Sequence, residues 1–574
     1  MKSKEFRYSE DISLVLGGSA GQGLQTIEKV ITMLFQKKGY HVFSTSEYMS
    51  RVRGGSNSVE IRVSNERKQA FTKRIDIAFP LDCDSFDRLQ KRFDEKTIVI
   101  GNADCFQEKK QGNYTFIPIP LLKSAEDIGG KIFMNTITAG IILALFSVDD
   151  AGFREYLTRV FSHKGEDIIK KNIEAAEKGR VLGEMLRKEH AITLEVSQQD
   201  RKNELYLDGS HAVALGALAG GCNFMSSYPM SPSTGVLNAM AEYSQKLDIA
   251  VEQVEDEITA INMAMGAWYA GSRAIVSTSG GGFALMAETL SLSGMTENPV
   301  VIHLAQRPGP ATGLPTRTEQ GDLEFVLYGG HGSFPRVVFS PGNAEECFTC
   351  SKKAFEIADK FQVPTIIMTD QFLVDSRSEA DACVFEMEEK PQKYFIETDD
   401  SYKRYTLTND GLSPRGIPGF GTGFVHVDSD EHDEDGYIIE DSEMREKMME
   451  KRMYRLELLK ENALPPVYSG KENPAFLLVG WGSTHGVISE VVKRLGNKHV
   501  GYMHISQIFP LHQEVEDRIQ RADIVIVIEN NMTGQCADLL SKVCKKQMNH
   551  RIVQYDGWPF SVEELEKSVQ ELID

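Results

Sequence analysis

Short runs of β-branched and aliphatic residues recur along this chain, each leading through a Gly- or Pro-containing turn into a helical stretch. ISLVLGGSAGQGLQTIEKVITMLFQKKGYHVFSTSEY, starting at Ile12, reads as strand, Gly-rich turn, helix and strand. That order opens an α/β unit with a parallel sheet. SVEIRVS, IDIAFPLD and KTIVIGNA add strands to it. The alternation returns in RAIVSTS, NPVVIHLA, PRVVFS and PTIIMTD, and again in AFLLVGWGS, HVGYMHI, DIVIVIENN and RIVQYDG. The expected fold class is therefore α/β, with three α/β domains at residues 1–195, 196–385 and 467–574. Residues 386–466 differ: FVHVDSDEHDEDGYIIEDSEMREKMMEKRMYRLELLK is an acidic loop followed by a charged helix, read as a solvated connector and surface helix. A chain of 574 residues carries roughly three or four domains by length, which agrees.

Composition matters here for what it excludes. The net charge of −20 argues against a nucleic-acid partner, which needs a basic face. No apolar run reaches the roughly 18 residues of a membrane span. The charged start, MKSKEFRYSEDISLVLGG, lacks the longer apolar region of a signal peptide, so a cytoplasmic protein is expected. Of the eight cysteines only Cys347 and Cys350 form a CxxC, with no second pair nearby. No zinc or iron–sulfur site is expected on this chain, and NAEECFTCSKKAFEIADKF reads as an ordinary amphipathic helix.

The residues that carry chemistry lie between Ser227 and Gly313. SYPMSPSTGVLNAM is a hydroxyl-rich turn, VEQVEDEITAINMAMGAWYAG a carboxylate opening a helix of small residues, VSTSGGGFALM a Gly-rich turn, and HLAQRPGPATGLPTRTEQGDL a Pro/Gly loop with arginines. The order suits an anionic organic ligand with one carboxylate held at a helix start. Four acids compete for that role: Glu252, Glu255, Asp256 and Glu257. Spacing alone does not choose among them. Glu257 stands directly before Ala260, Ala264, Gly266 and Ala267, a face with room for close packing, where a carboxylate is partly desolvated and suited to proton exchange with a ligand nitrogen. A carboxylate at a helix start also serves simply as a dipole partner. GGSAGQG at Gly17–Gly23 fits either an anion at a helix N-terminus or a plain tight βα turn. A nicotinamide-dependent dehydrogenase would need an acid ending the second strand, where HVFSTSEYMS offers only Glu47.

Taken together, YPMSPST, EDEITAINMAMGA, STSGGGFALM and QRPGPATGLPT resemble the α subunit of 2-oxoacid:ferredoxin oxidoreductases. GGSAGQG with EYMSRVRGGSNSVEIRVS resembles that family's γ domain, here fused ahead of α. VGWGST, ISQIFPL and VIENNMTGQ resemble its transketolase C-terminal-like domain. The fusion and the QRPGPATGLPT loop are most similar to the 2-oxoglutarate branch; related branches act on pyruvate, branched-chain or aryl 2-oxo acids, and a non-catalytic assembly subunit would be marked by loss of Glu257 or Arg307.

The resemblance implies thiamine diphosphate as cofactor, bound between a pyrimidine-binding domain on this chain and a diphosphate-binding partner. Glu257 matches the family glutamate that hydrogen-bonds the aminopyrimidine ring and so activates the thiazolium carbon. Tyr228 and Pro229 fall at the cofactor-binding loop. Decarboxylation of the 2-oxo acid would send electrons to an iron–sulfur cluster, and coenzyme A would take the acyl group. Gly321-Asp322-Leu323 lacks the second Gly of a GDG metal–diphosphate motif, and Asn530-Asn531 lies far along the chain, in another domain. The resemblance therefore assigns Mg²⁺ and a [4Fe-4S] cluster to a separate β subunit, with ferredoxin as acceptor and a dimer of αβ heterodimers as the assembly. For the substrate, Arg307 offers a planar fork for a carboxylate, with Ser231 and Thr312 as hydroxyl donors and Arg317 as a cation for a distal carboxylate. The family usually has threonine where Ser231 stands and often serine where Ala311 stands, so one hydroxyl is kept and one lost.

Overall fold

The computed structural model describes residues 6–8, 10–21, 23–49, 55–103, 112–149, 151–190, 192–196, 203–387, 391–496 and 499–574. By compactness the chain divides into two units. One is Met1–Tyr206 with Ser376–Glu379; the other is Leu207–Asp375 with Ala380–Asp574.

The first unit is built on an eight-stranded sheet in the order Thr115–Ile119, Ile98–Asn102, Ile77–Pro80, Asp11–Ser19, Ser56–Ser64, His41–Glu47, Arg377–Asp381, Glu204–Asp208. The expected parallel sheet is in fact mixed: Ser56–Ser64 runs antiparallel to both Asp11–Ser19 and His41–Glu47. Residues 48–55 are too few for a helical crossover, which takes a dozen or more, so the strand must return antiparallel. Helix Met134–Leu145 is buried along its whole length as the core helix of this unit. Among the described residues no single helix is long and apolar enough to cross a membrane. The Gly-rich turn follows strand Asp11–Ser19 and delivers the chain into helix Leu24–Lys37. Gly21 and Gly23 both have positive φ, 87° and 72°, which the turn requires and L-residues resist. Ser50–Gly54 of the accompanying EYMSRVRGG motif and Cys105 lie outside the described residues.

The second unit holds a seven-stranded and a five-stranded sheet. The first runs Ala250–Gln253, Phe224–Ser227, Ala274–Thr278, Val300–Gln306, Pro364–Asp370, Val337–Phe339, Gln507–Phe509, parallel except for the last strand. Its central strands are buried on both faces, as near-continuous Val/Ile runs require. The second runs Val467–Ser469, Val500–Ile505, Phe476–Trp481, Ile524–Glu529, His550–Val553, with only the first strand antiparallel. Cys347 and Cys350 are buried on helix Ala344–Phe361 within the hydrophobic core.

The connector departs from its reading as a solvated linker and surface helix. On helix Ser442–Glu461, Lys451, Arg452 and Arg455 are buried. The reason is a set of acids beneath them. Lys451 Nζ lies 3.1 Å and Arg455 Nη1 3.7 Å from the fully buried carboxylate of Glu297. Arg452 grips Glu431 with both Nη atoms, at 3.0 and 2.7 Å. Burial works to raise the Glu297 pKa, but Arg455, Lys451 and Arg404 outweigh it and hold the group at about 2.

Candidate functional site

The site forms where strands of the seven-stranded sheet end and their loops begin, the usual place for ligands in open parallel sheets. Ser227, the last residue of strand Phe224–Ser227, fastens that strand to the next. Its Oγ donates to the Ser277 carbonyl at 2.7 Å and accepts from the Ser277 amide at 3.0 Å. Ser277 Oγ is in turn 2.8 Å from His303 Nδ1, and His303 Nε2 is 2.8 Å from Thr369 Oγ1. Burial lowers the His303 pKa to about 3, so this imidazole is a neutral strut across three strands.

The four acids now separate by environment. Glu252 and Glu255 are exposed. Asp256 caps helix Glu257–Tyr269, its side chain accepting from the Thr259 amide at 2.7 Å. Glu257 alone is buried, 4% exposed, and its Oε1 has no hydrogen-bond partner. Ala260 and Ala264 pack fully inside behind it. Gly266, expected on that packed face, is instead exposed, with nothing within 4 Å of where a Cβ would sit. A 13-residue helix carries about 100° per residue of rotation, which turns Gly266 away from Ala260 and Ala264.

The Gly-rich turn Gly280-Gly281-Gly282 accounts for the next layer. A Cβ on Gly282 would stand 2.7 Å from Glu257 Oε1 and 2.0 Å from Thr278 Oγ1. A Cβ on Gly280 would stand 2.3 and 2.4 Å from the two carboxylate oxygens of Asp322. Two carboxyl groups therefore press on this turn through its first and third glycines. The Ala311 carbonyl is 3.9 Å from the corresponding position on Gly281, which brings the Pro/Gly loop over the same turn.

That loop starts with Arg307, half-buried at the end of strand Val300–Gln306. Arg307 Nη1 donates to the Ser231 carbonyl at 2.6 Å, while its Nε is buried without a partner. Burial lowers the guanidinium pKa, and Asp322 and Glu257 act in the opposite sense. Thus Ser231, Arg307 and Glu257 are brought to one place. Tyr228 and Pro229 follow the end of strand Phe224–Ser227, Tyr228 exposed and Pro229 half-buried, and Met230 is held there by a 2.6 Å contact from Ser279 Oγ to its sulfur. Thr312 is exposed on the arginine loop. Arg317 lies further along the same loop, its guanidinium over the Trp558 ring, 5.2 Å from the centroid.

Asp322, which sequence reasoning met only as an incomplete metal motif, belongs to the site. Its Oδ2 is buried and without a partner. Burial and the charge of Glu319 raise its pKa to about 7, against the pull of Arg307. Asn530-Asn531 is not remote either. Asn530 and Gln320 exchange backbone and side-chain hydrogen bonds at 2.6 and 2.8 Å, and Asn531 Nδ2 donates to the Gln320 carbonyl at 3.1 Å. The pair anchors the loop two residues before Asp322. Among the described residues no group of three or more His, Cys, Asp and Glu side chains could hold a metal ion.

A site with a buried carboxylate oxygen awaiting a donor, a guanidinium Nε awaiting an acceptor, and a glycine turn between them fits a planar nitrogen heterocycle beside an organic anion. Residues 215–451 match a sequence model of the thiamine diphosphate-binding domain of pyruvate flavodoxin/ferredoxin oxidoreductases, and residues 13–182 match a pyruvate ferredoxin/flavodoxin oxidoreductase domain. The chain is 30% identical to a 2-oxoacid:ferredoxin oxidoreductase subunit alpha from Sulfolobus sp, over 98% of this chain and 97% of that one. It is 32% identical to the 2-oxoglutarate synthase subunit KorA of Methanocaldococcus jannaschii, over 63% of this chain and 98% of that one. Among solved structures it resembles the 2-oxoglutarate:ferredoxin oxidoreductase of Magnetococcus marinus, solved with 2-oxoglutarate, coenzyme A and succinyl-CoA bound. The TM-score is 0.91 at 27% identity, covering 99% of this chain and 100% of that one.

Proposed function

The chain belongs to the family of 2-oxoacid:ferredoxin oxidoreductase α subunits, and on that premise we propose that it carries the pyrimidine-binding and substrate-binding half of a site for the coenzyme A-dependent oxidative decarboxylation of 2-oxoglutarate to succinyl-CoA. The observation that carries the reading is the orphaned, buried Glu257 Oε1 against Gly282. Thiamine diphosphate, when bound, supplies the nucleophilic carbon for decarboxylation. Glu257 would hold a proton on the ring nitrogen of its pyrimidine. A buried carboxylate with no competing donor is suited to that task, because the low-dielectric surroundings strengthen the one hydrogen bond it makes. Tyr228 and Pro229 would flank the same ring from the end of their strand.

Arg307 would orient the substrate. Its Nη1 is already spent on the Ser231 carbonyl, so the free edge including Nε faces the ligand and fixes a carboxylate in one direction. Ser231 and Thr312 would donate hydroxyl hydrogen bonds. Arg317, on the same loop, would meet the distal carboxylate. We divide the chain for this function as the γ domain 1–195, the pyrimidine-binding domain 196–385, the connector 386–466 and the transketolase C-terminal-like domain 467–574. The diphosphate and Mg²⁺ site and the [4Fe-4S] cluster are assigned to a β subunit, ferredoxin is the electron acceptor, and two αβ pairs form the assembly.

The test is dye reduction by the complex of this chain with its β subunit, with coenzyme A and a panel of 2-oxo acids. 2-Oxoglutarate is expected to give the highest kcat/KM. Arg317→Ala is expected to raise KM for 2-oxoglutarate far more than for pyruvate. A wild-type preference for pyruvate would overturn the substrate assignment, and equal damage to both substrates would remove Arg317 from it.

A further inference from the structure

Arg307 is not the only group in this site with an unused polar edge. Asp322 sits on the opposite flank of the glycine turn from Glu257, with both oxygens against Gly280 and Oδ2 buried and unpartnered. Its backbone is tied to the residue before Arg307: the Asp322 amide donates to Gln306 Oε1 at 3.1 Å, and Gln306 Nε2 donates to the Thr369 carbonyl at 3.2 Å. The preceding Gly321 carbonyl accepts from Gln535 Nε2 at 2.9 Å. The peptide joining Gly321 to Asp322 is thus pinned at both its oxygen and its amide, next to a carboxyl oxygen, Oδ2, that has no partner among the described residues. A buried polar atom left idle costs about 1 to 3 kcal/mol, so one against the same glycine turn that Glu257 contacts has a ligand partner as its simplest explanation.

We propose that Asp322 is a second substrate-binding residue, whose carboxyl group hydrogen-bonds the carboxylate of the 2-oxo acid that Arg307 holds. The inference rests on the 2-oxo acid reading above and names a residue that reading did not use. Its chemistry follows from the charges around it. Glu319 from its own loop and Arg307 from the end of strand Val300–Gln306 act on Asp322; Glu257 from the start of helix Glu257–Tyr269 acts on Arg307; helix Gly280–Leu285 presents only glycine to it. Burial and Glu319 outweigh Arg307 and leave the group titrating at about 7. In its protonated form it donates to an anion. Ionised, it repels one. An arriving carboxylate adds negative charge and raises the Asp322 pKa further, so substrate binding retains the proton. Substrate affinity must then fall as pH rises through the value for the free enzyme.

The experiment is the pH dependence of KM and kcat for 2-oxoglutarate, from about pH 6 to about pH 8.5, in the complex with the β subunit, where each pH unit above the titration changes KM by up to about tenfold. Wild type is expected to show KM rising above about pH 7 with a smaller change in kcat. Asp322→Asn keeps a donor that does not ionise, so its KM should not vary with pH. Gly280→Ala pushes a methyl group onto the Asp322 oxygens and should raise KM at about pH 6.5 by about 10- to 100-fold, the loss of a hydrogen bond to a charged group. A flat wild-type KM overturns the proposal whether or not the variants fold, and so does an Asp322→Asn profile that keeps the wild-type slope. Absence of any 2-oxo-acid-dependent reduction overturns the function itself.

Discussion

At the scale of single residues, the site is organised by what does not fit beside it. Gly282 holds no side chain because Glu257 and Thr278 occupy the space one would need. Gly282→Ala is therefore expected to move the Glu257 carboxylate while leaving its chemistry intact. Glu257→Gln does the reverse: geometry stays and the charge goes. General acid–base steps are worth about 10²- to 10⁴-fold, so Glu257→Gln should cost the complex that much in kcat. Activity of Glu257→Gln within a few-fold of wild type would mean that another acid does the work. Gly282→Ala should show a comparable loss together with weakened binding of thiamine diphosphate to the complex, measured by the cofactor concentration that restores activity.

At the scale of elements, helix Ser442–Glu461 is locked into the second unit by charge rather than by an apolar stripe. Its buried face includes Lys451, Arg452 and Arg455, and Glu297 is the acid that makes two of these burials tolerable. Glu297→Gln leaves buried cations without their counter-charge. Such a break costs about 3 to 5 kcal/mol, because the remaining charges are uncompensated rather than because the pair was strongly stabilising. Thermal unfolding should show a lowered Tm. The pH dependence has a definite sign. Glu297 is held at about 2 against an ordinary 4.5, so its contribution is complete above about pH 4.5 and is lost as pH falls toward 2. The Glu297→Gln variant should lose less stability over that acid range than wild type.

At the scale of the whole molecule, the proposed site would meet a ring nitrogen and a carboxylate through groups left unpartnered here, and the diphosphate half would come from a β subunit. A divided site predicts weak cofactor binding by the chain alone. Calorimetry of the isolated chain with thiamine diphosphate and Mg²⁺ should give a dissociation constant no tighter than about 1 mM, near −4 kcal/mol. Micromolar binding without a β subunit would mean that the diphosphate half is present here. The loop from Arg307 to Asp322 shows why the second unit acts as one body. It leaves the seven-stranded sheet at Arg307 and is anchored by Trp481 and Asn530, at the ends of strands of the five-stranded sheet, and by Gly557, in the segment after its last strand.

Strand and helix positions were legible in the sequence because hydrophobic period and turn chemistry are local. Five strands of the two sheets in the second unit lie on RAIVSTS, NPVVIHLA, PTIIMTD, AFLLVGWGS and DIVIVIENN to within a residue, whereas the short strands Phe224–Ser227, Ala250–Gln253, Val467–Ser469 and Gln507–Phe509 carry no such run. Sequence also carried the family, and with it Glu257 and Arg307. Direction and burial were not local. A short strand does not say whether its neighbour runs with or against it, and Ser56–Ser64, antiparallel to both neighbours, makes the expected parallel sheet a mixed one. Nor does a charged helix say which face is wet: Lys451 and Arg455 were read as solvated until Glu297, more than 150 residues earlier, supplied the reason to bury them. Asp322 fails a linear motif and Asn530-Asn531 lies far along the chain, yet tertiary contact joins the pair to Gln320, two residues before Asp322 on the same loop. Sequence determined which groups the chain owns; only packing decided which of them lost water, and a carboxyl group acquires its chemistry from that loss.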